Sequence, residues 1–382
     1  MKFSSLIFAN LFRKKIRLLL TIGSFAVALF LFAFLGVVRD AFGRGADVAG
    51  ADRLVIINRT SIINTIPLSY RDKILRIPGV KVITHNNWFG GIYKDEKNFF
   101  PQFVIDPENQ RLVFPEFTVP DDQWTSFIKD RQGAIVGART MQRFNWKIGD
   151  RIPIKTTIWG GGSWEFNIDG VYHGKQAQDD ETQFWLQWDY FEERIPERLK
   201  GQIGWYVLRV DNPDQSPRIA KAIDDEFANS PYETKTETES AFAAGWVKQF
   251  GNIQFLIVTI GSVVFFTLLL VTGNTMAISV RERTPELAIL KAIGFSDRSV
   301  LLFVLGESLV IALIGGLLGL LFAILAIPIL ANALNGMLPV LILSPNMVAS
   351  GLFTALVVGV ASGILPGIGA MRMRVVNALR RV

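Results

Sequence analysis

Charged residues are absent from three long stretches of this chain, and apolar side chains dominate these stretches. They are Leu18–Val38 (21 residues), Gln249–Val280 (32 residues) and Ser308–Met371 (64 residues). A helix needs about 20 apolar residues to cross the hydrocarbon core of a bilayer. The first two stretches therefore predict one transmembrane helix each. The third, together with residues 299–306, predicts two.

Between the first two stretches, residues 39–248 have the mixed pattern of a water-soluble domain. Runs of β-branched and aromatic residues predict strands, apolar residues at helical spacing predict helices, and glycine and proline mark turns. The predicted strands are Arg53–Asn58, Lys81–Thr84, Phe99–Ile105, Trp164–Tyr172 and Gly204–Val210. The predicted helices are Ser69–Ile77, Ala138–Phe144 and Ser216–Ala228. Together they indicate an α+β domain.

The predicted fold class is a membrane protein with four transmembrane α-helices, one before and three after a large α+β extracytoplasmic domain. The first apolar stretch is longer than the apolar region of a signal peptide, so we expect an uncleaved helix. The predicted parts are a cytoplasmic or interfacial N-terminal helix (1–17), transmembrane helix 1 (18–38), the outer domain (39–248), transmembrane helix 2 (249–280), a cytoplasmic loop (281–298), transmembrane helix 3 (299–330), a short outer loop (331–345), transmembrane helix 4 (346–371) and a basic cytoplasmic tail (372–382).

The distribution of charge predicts the orientation. Outside residues 39–248 there are 13 Lys and Arg residues and 4 Asp and Glu residues, whereas that window contains 27 and 30. Positively charged flanks remain on the cytoplasmic side of a membrane. We therefore expect both termini and the 281–298 loop inside, and the large domain outside. The basic balance follows from this topology, so no nucleic-acid partner is implied.

Composition argues against most catalytic chemistry. The chain has no cysteine and only two histidines, His85 and His173. A lone histidine is more often a surface or hydrogen-bonded residue than a ligand, so we expect no metal site. The one Gly-Lys pair, Gly174-Lys175, lacks the other residues of a phosphate-binding loop. All nine tryptophans lie in residues 39–248, where core packing is their expected role.

The segment from Asn274 to Gly294 reads NTMAISVRERTPELAILKAIG and follows the second apolar stretch. Thr284 can cap a helix that has Pro285 at its first position, and Gly294 suits a left-handed end. A helix this short is unstable alone in water. Its apolar stripe consists of Leu287, Leu290 and Ile293, and its charged collar of Arg281, Glu282, Arg283, Glu286 and Lys291. The stripe predicts a partner surface, and a solvated cytoplasmic loop is the alternative.

The same segment resembles the signature of the FtsX/MacB-like family of ABC transporter permeases, also called type VII. The family's usual form is N-x-M-x-x-S-V-x-E-R-x-x-E-hydrophobic-G-x-x-K-A-hydrophobic-G. The matching positions are Asn274, Met276, Ser279, Val280, Glu282, Arg283, Glu286, Lys291, Ala292 and Gly294. Ala288 stands where the family usually has glycine. Weaker similarities to the MacB-type periplasmic core domain occur at residues 77–80 and 137–154.

In that family the segment is the coupling helix that docks on a nucleotide-binding subunit. The resemblance implies that the ATPase-coupling residues are Arg281, Glu282, Arg283, Glu286, Leu287, Leu290, Lys291 and Gly294. It implies a non-catalytic permease subunit, with ATP and Mg bound by a separate ABC ATPase. The other partners implied are a second permease copy in a homodimer or heterodimer, membrane lipids and, in a MacB-like assembly, a membrane-fusion protein and an outer-membrane channel.

The function implied is mechanotransmission at the bacterial inner membrane. ATP hydrolysis by the partner would move the periplasmic domain and drive export or efflux of a substrate from the periplasm or outer leaflet. Two alternatives remain open: release of lipoproteins or lipids from the membrane, and FtsX-like regulation of a cell-wall hydrolase without transport. The sequence does not identify the substrate.

Two polar residues, Glu307 and Asn274, are predicted to lie within the membrane. A carboxylate near the centre of a spanning helix costs about 2.5–3.5 kcal/mol on insertion, so Glu307 needs a partner or a place near the interface. We expect a hydrogen bond to Asn274 or Thr272, and a proton or substrate path is the alternative. If the outer domain does the work, Glu307→Gln should matter less than restraining that domain.

Glycines recur at helical spacing in the third and fourth predicted spans. They are Gly315, Gly316 and Gly319 in the third, and Gly359, Gly363 and Gly367 in the fourth, where Ala355 extends the series. Small residues on one face allow another helix to approach closely. Packing within the subunit and a seam between two copies are both open.

Overall fold

The computed structural model describes residues 14–47, 50, 52–156, 158–176, 179–249, 253–333, 341, 343–373 and 375. The chain divides into a membrane unit (residues 1–40, 252–332 and 341–382) and an outer unit (residues 41–251 and 333–340). Most of the predicted N-terminal helix, outer loop and basic tail lie outside the described residues.

Twelve helices and twelve strands occur in the described part of the chain. The helices are α1 Lys15–Asp47, α2 Tyr70–Leu75, α3 Gln110–Val113, α4 Asp121–Lys129, α5 Ala138–Phe144, α6 Trp188–Arg194, α7 Ser216–Glu226, α8 Glu239–Gln249, α9 Ile253–Glu282, α10 Thr284–Ala292, α11 Asp297–Ala333 and α12 Pro345–Met371. The strands are β1 Arg53–Asn58, β2 Ile66–Pro67, β3 Val80–Trp88, β4 Gln102–Ile105, β5 Phe117–Thr118, β6 Gly133–Gly137, β7 Arg151–Lys155, β8 Ser163–Gly174, β9 Phe184–Gln187, β10 Gln202–Ile203, β11 Trp205–Val210 and β12 Thr234–Thr238.

Four helices, α1, α9, α11 and α12, are long and apolar enough to cross a membrane. They contain the predicted spans 18–38, 299–330 and 346–371. Of the predicted span 249–280, α9 contains residues 253–280, whereas Gln249 ends α8 and residues 250–252 lie outside the described residues. The start of α12 follows the sequence expectation, because the Ser344 hydroxyl accepts a hydrogen bond from the Met347 amide and Pro345 is the first helical residue.

The third apolar helix packs closely on the first through two glycines. A Cβ atom added at Gly319 would overlap with the carbonyl oxygen of Ala26, and one at Gly315 would lie 2.8 Å from the carbonyl oxygen of Ile22. Backbone atoms cannot move away as a flexible side chain can. Glycine is therefore required where α1 and α11 meet.

The small residues of the fourth apolar helix, α12, face the third apolar helix, α11. A Cβ atom at Gly359 would lie 2.7 Å from the Cβ of Ala312, and one at Gly367 would lie 2.7 Å from Cδ1 of Leu301. The residues at this contact include Gly316, Ala355, Gly359, Gly363 and Gly367. The small-residue face of α12 is thus buried within the chain and is not free to form a seam between copies.

The second apolar helix, α9, is the least buried of the four. In its most apolar window 11% of the residues are buried, compared with 44% for α11. Its exposed apolar side chains include Phe255, Leu256, Val258, Ile260, Val263, Phe266, Leu270, Val271 and Ile278. Most of α9 therefore faces away from the other helices of this chain, and Asn274 lies on its exposed side.

The outer unit is built on a mixed ten-stranded sheet. Nine strands follow the order β12-β1-β11-β3-β4-β9-β6-β8-β5, β7 pairs with β8, and β10 and β2 form a separate pair. The β4–β9 and β6–β8 pairs are parallel, and the other pairs of the large sheet are antiparallel. Along β8, buried and solvent-facing residues alternate, as expected of a strand with one covered face.

Aromatic side chains fill the core of the outer unit. Of the tryptophans whose side chains the structure describes, six are buried, namely Trp124, Trp146, Trp159, Trp164, Trp185 and Trp188. Phe89 contacts Trp164, Phe166 and Phe191 edge-on at centroid distances of 5.2–6.4 Å. Such edge-to-face contacts add to the stabilisation from apolar burial. The expected packing role is confirmed for these six tryptophans.

The α+β pattern predicted for the outer domain is confirmed. The strand Arg53–Asn58 and the helix Ala138–Phe144 have the predicted bounds. The predicted strand Lys81–Thr84 extends to Trp88, because the chain remains paired with β11 and β4 beyond Thr84. Elements that the pattern missed include the short buried strands β6 and β9, which have no polar alternation to mark them.

Candidate functional site

The short helix α10, between the second and third apolar helices, is anchored to the rest of the membrane unit. It runs from Thr284 to Ala292 and ends before Gly294, whose φ of +103° is the left-handed conformation expected there. Leu287 lies in the apolar core that also contains Val300 and Val304, and Ala288 is buried as well. A segment with its middle buried is not a solvated loop.

Thr284 does not cap this helix. It is the first helical residue, Arg283 occupies the cap position, and the Thr284 hydroxyl donates to the carbonyl of Val280 at 3.2 Å. Only one residue separates α9 from α10. The carbonyl groups of the last turn of α9 are therefore the nearest acceptors for this hydroxyl, and the predicted cap was wrong.

The predicted apolar stripe divides between two environments. Leu287 is 4% exposed and Leu290 packs against the same core, whereas Ile293 is 69% exposed. Ile289, which the sequence reasoning did not select, is 52% exposed. Ile289 and Ile293 lie four residues apart, so they share one face of α10. A helical projection that places Leu287 and Ala288 inward would have identified this pair.

Glu282, at the end of α9, joins that helix to the first apolar helix. Its carboxylate accepts from Lys14 Nζ at 2.7 Å and from Arg17 Nη2 at 2.6 Å. The Glu282 and Lys14 side chains are 39% and 56% exposed. Ion pairs with this exposure contribute little to stability, because water and salt screen them. They nevertheless connect α1 and α9, two helices that are far apart in sequence.

Arg283 forms a buried ion pair with Glu307 of the third apolar helix. Nη1 donates to Oε2 at 2.9 Å and Nη2 to Oε1 at 3.0 Å, and the two side chains are only 14% and 7% exposed. Removing one partner of such a pair typically costs about 3–5 kcal/mol, because an unpaired charge stays buried. The expected partners were wrong: Asn274 is exposed, and the buried Thr272 hydroxyl has no partner among the described residues.

The depth of Glu307 also follows from the length of its helix. α11 has 37 residues and is about 55 Å long, whereas the hydrocarbon core is about 30 Å thick. Residues 308–333 alone extend about 39 Å, which is enough to cross. The helix can therefore cross without placing Glu307 in the membrane core, and Glu307 lies at the level of the charged junction between α9 and α10, where its partner Arg283 is.

Lys291 anchors the other end of α10. Its Nζ donates to the carbonyl oxygens of Met371 and Met373 at 2.8 and 2.9 Å, and it pairs with Asp297 Oδ1 at 2.7 Å. A cation at the last carbonyl groups of a helix is favourable, here at the end of α12. Lys291 therefore connects α10 to the start of α11 and the end of α12.

The predicted coupling residues thus fall into two groups. Arg281, Glu282, Glu286 and Gly294 are exposed, and Leu287, Leu290, Arg283 and Lys291 are turned toward the other helices of the membrane unit. The exposed residues of α10 form a surface that we call the α10 outer face: Glu286, Ile289, Ala292 and Ile293. This surface combines one acid with apolar side chains, a composition suited to contact with another protein.

A second ion-pair cluster holds the two ends of the outer unit together. Arg53, in the first strand, contacts Glu239 at 2.5 Å and Glu116 at 2.8 Å, and its side chain is 6% exposed. Glu239, the first residue of α8, also accepts a hydrogen bond from the amide of Gly50. The chain entering the outer unit is thus fixed to the chain leaving it.

His85 is buried in the outer unit without a hydrogen bond. Its ring contacts Trp188 edge-on at a centroid distance of 4.5 Å, and Nδ1 lies 3.7 Å from Asp106 Oδ2. Neither ring nitrogen has a partner among the described residues. Burial lowers the pKa of His85 to about 4, although Asp106 opposes this shift, and Arg71 adds to it. The expectation of a surface or hydrogen-bonded histidine was right for His173, which is 61% exposed, and wrong for His85.

Comparison with known proteins identifies the family. Residues 258–375 match the FtsX-like permease C-terminal family. The ABC transporter permease MJ1507 of Methanocaldococcus jannaschii, itself uncharacterized, is 25% identical over 325 residues, which are 80% of this chain and 77% of that protein. This match extends well beyond the membrane helices at the C-terminal end.

Other relatives match a shorter part of the chain. The uncharacterized ABC transporter permease YvrN of Bacillus subtilis is 39% identical over 108 residues, which are 28% of this chain and 25% of that protein. The macrolide export ATP-binding/permease protein MacB of Bordetella avium is 34% identical over 108 residues, 28% of this chain but only 16% of its own length. What these proteins transport therefore does not carry over to this chain.

A crystal structure of the periplasmic region of MacB from Actinobacillus actinomycetemcomitans is 10% identical, with a TM-score of 0.38, and covers 53% of this chain and 94% of its own. The family match at residues 258–375 includes α10 and all its anchoring residues on α11 and α12. The chain is an ABC transporter permease of the FtsX/MacB type.

Proposed function

We propose that this permease couples a separate ABC ATPase to movements of its outer domain, and that the ATPase docks on the α10 outer face. The observation that supports this most directly is α10 itself. It is a short helix at the charged end of the membrane unit, fixed to its neighbours on one side and exposing Ile289 and Ile293 on the other. Two apolar side chains that are exposed side by side form a small patch that another protein can cover.

The partner supplies the catalysis in this proposal. ATP and Mg bind to the ATPase, and this chain contributes the helices that respond. Of the predicted coupling residues, Arg281, Glu282, Glu286 and Gly294 are exposed and can touch the ATPase. Leu287, Leu290, Arg283 and Lys291 act from within, because they hold α10 in position.

In this proposal the outer domain, and not a path through the membrane helices, acts on the substrate. Among residues 308–371 there is no charged side chain, and a water-filled path for a polar solute would normally need several. The outer domain carries nearly all the polar surface and is joined to the apolar helices at both its ends. The direction we propose is export or efflux of a substrate from the periplasm or outer leaflet, with two permease copies in the complex.

The orientation can be tested with cysteines placed one at a time, because the chain has none of its own. Ser126 and Ser230 should react with an impermeant maleimide in intact spheroplasts, whereas Ser296 should not. Equal labelling at Ser296 and Ser126 would contradict cytoplasmic placement of the loop after α10.

Docking can be tested by charge placed on the α10 outer face. We expect Glu286→Lys and Ile293→Asp to reduce co-purification of the ATPase and the ATP turnover of the complex, because a buried unpaired charge weakens an interface by several kcal/mol. The matched control is Ile63→Asp, since Ile63 is 88% exposed in the outer unit and the chemical change is the same. If Glu286→Lys and Ile293→Asp both retain the ATPase as the control does, docking at α10 is refuted.

A further inference from the structure

Three helices meet at Arg283. Its amide donates to the carbonyl oxygens of Ser279 and Val280 at 3.3 and 3.2 Å, which continues α9. Its carbonyl accepts from the Leu287 amide at 2.9 Å, which begins α10. Its guanidinium holds Glu307 of α11 through two hydrogen bonds. This one residue therefore links the end of the second apolar helix, the start of α10 and the third apolar helix.

The geometry of the Arg283–Glu307 pair restrains the relative orientation of the two side chains as well as the distance between them. Two parallel N–H···O bonds between a planar guanidinium and a carboxylate restrain rotation, which a single contact does not. Both side chains are nearly inaccessible to water, so ions in solution screen the pair poorly. A buried ion pair is often no more stabilising than apolar side chains of the same volume. Stability alone therefore does not account for it.

The far end of α10 is linked to α11 less firmly. Lys291 pairs with Asp297 in the first turn of α11, but the Asp297 side chain is 64% exposed. A pair with one side open to solvent is weak and sensitive to salt. Compared with the Lys291–Asp297 pair, the Arg283–Glu307 pair is the stiffer link to α11.

We propose that the Arg283–Glu307 pair makes α10 and α11 move as one body, so that Glu307 is the positioning residue through which a displacement of α10 reaches the third apolar helix. This inference rests on the proposed docking of an ATPase on α10. It gives Glu307 a mechanical role, in place of a proton or substrate path. It also departs from the expectation that Glu307→Gln should matter less than restraining the outer domain.

The test uses the complete complex of this chain with its ATPase in lipid nanodiscs. A nitroxide on Leu325→Cys reports on α11 18 residues beyond Glu307, about 27 Å along the helix. Leu325 is 60% exposed, and the chain has no other cysteine to label. The spectral change between ADP and a non-hydrolysable ATP analogue is measured, together with retained ATPase and ATP turnover in the same sample.

In Glu307→Gln the ATPase should stay bound and hydrolyse ATP, while the spectral change falls below about one third of that of the parent chain, because Arg283 no longer holds a carboxylate. Exchanging the charges, Arg283→Glu with Glu307→Arg, should restore more than about half of it. The control is Asp40→Asn, which removes an exposed ion pair with Arg39 in the membrane unit and should leave the change intact.

A second variant covers the case in which Glu307→Gln fails to fold. The double variant Arg283→Met with Glu307→Met leaves no buried charge, so it should fold and retain the ATPase, but flexible methionines should not transmit the spectral change. A full spectral change in the methionine pair overturns the inference, as does a charge exchange that restores nothing while the ATPase stays bound. If the parent complex retains no ATPase, or shows no nucleotide-dependent change, the proposed function itself fails.

Discussion

Protonation of His85 should destabilise the outer domain in mild acid. The imidazole is buried against Trp188, and neither nitrogen has a hydrogen bond within the described part of the chain. Burial lowers its pKa from 6.5 to about 4. The folded state therefore binds fewer protons than the unfolded state between these two values. Stability is fully present above pH 6.5 and is lost as the pH falls toward 4.

The size of the effect follows from the two pKa values. The difference between 6.5 and about 4 corresponds to about 3.4 kcal/mol, and roughly 2.5 kcal/mol of it is lost by pH 4.5. For a domain of about 200 residues this lowers the unfolding temperature by roughly 5–10 °C. Asp106 opposes the shift and Arg71 adds to it, so both stay unchanged in the experiment.

Tryptophan fluorescence of the intact chain is the appropriate assay, because all nine tryptophans lie in residues 39–248. Thermal unfolding is followed in detergent at pH 7.5 and pH 4.5 for the parent chain and for His85→Phe. Phenylalanine keeps a ring against Trp188 and cannot be protonated. Other acids titrate in the same range, so the quantity to compare is the difference between the two proteins at each pH.

We expect His85→Phe to lose roughly 5–10 °C less than the parent chain between pH 7.5 and pH 4.5. The control is His173→Phe, since His173 is 61% exposed and should leave the acid response unchanged. An identical acid response in His85→Phe and the parent chain would refute the argument, because protonation of the buried imidazole would then carry no cost.

Three further changes have expected outcomes. Gly319→Ala should reduce the fraction that elutes as a single species in detergent, because its Cβ would overlap backbone of α1. Gly261→Ala should not, because among the described residues its Cβ would meet nothing beyond its own stretch of helix within 4 Å. Arg53→Ala should destabilise the outer domain by about 3–5 kcal/mol, measured by tryptophan fluorescence, and Arg59→Ala, whose side chain is 66% exposed, by at most about 1. Asp169→Asn should raise the unfolding temperature above pH 6 and leave it unchanged below about pH 4. This follows because burial, with Asp130 nearby, raises the pKa of Asp169 to about 6, so stability of the parent chain falls as the pH rises from 3.8 to 6.

Much of the architecture could be predicted because it depends on local patterns. The four apolar helices are predicted from uncharged runs that are long enough to cross a bilayer, and this prediction holds for any tertiary arrangement. Gly294 and Pro345 act through their own backbone conformation, so the end of α10 and the start of α12 could be read directly. The strand Arg53–Asn58 and the helix Ala138–Phe144 likewise follow from local periodicity.

The partners of charged and polar side chains could not be predicted in the same way. Glu307 pairs with a residue 24 positions earlier, and Glu282 pairs with residues more than 260 positions away. Which acid meets which cation depends on how the helices are arranged. The sequence marked Glu307 as needing a partner, but it did not show that this partner is Arg283.

Which face of each helix contacts a neighbour was also decided only by tertiary packing. Composition predicts that Gly359, Gly363 and Gly367 form a face for close approach, but the same face would serve a contact within the chain or between copies. The structure turns it toward α11. Within α10, burial of Leu287 leaves Ile289 and Ile293 exposed. The sequence by itself determined which segments are helical and apolar, because those properties are local; only the tertiary structure decided what each face touches, because long-range packing selects one neighbour among several of similar chemistry.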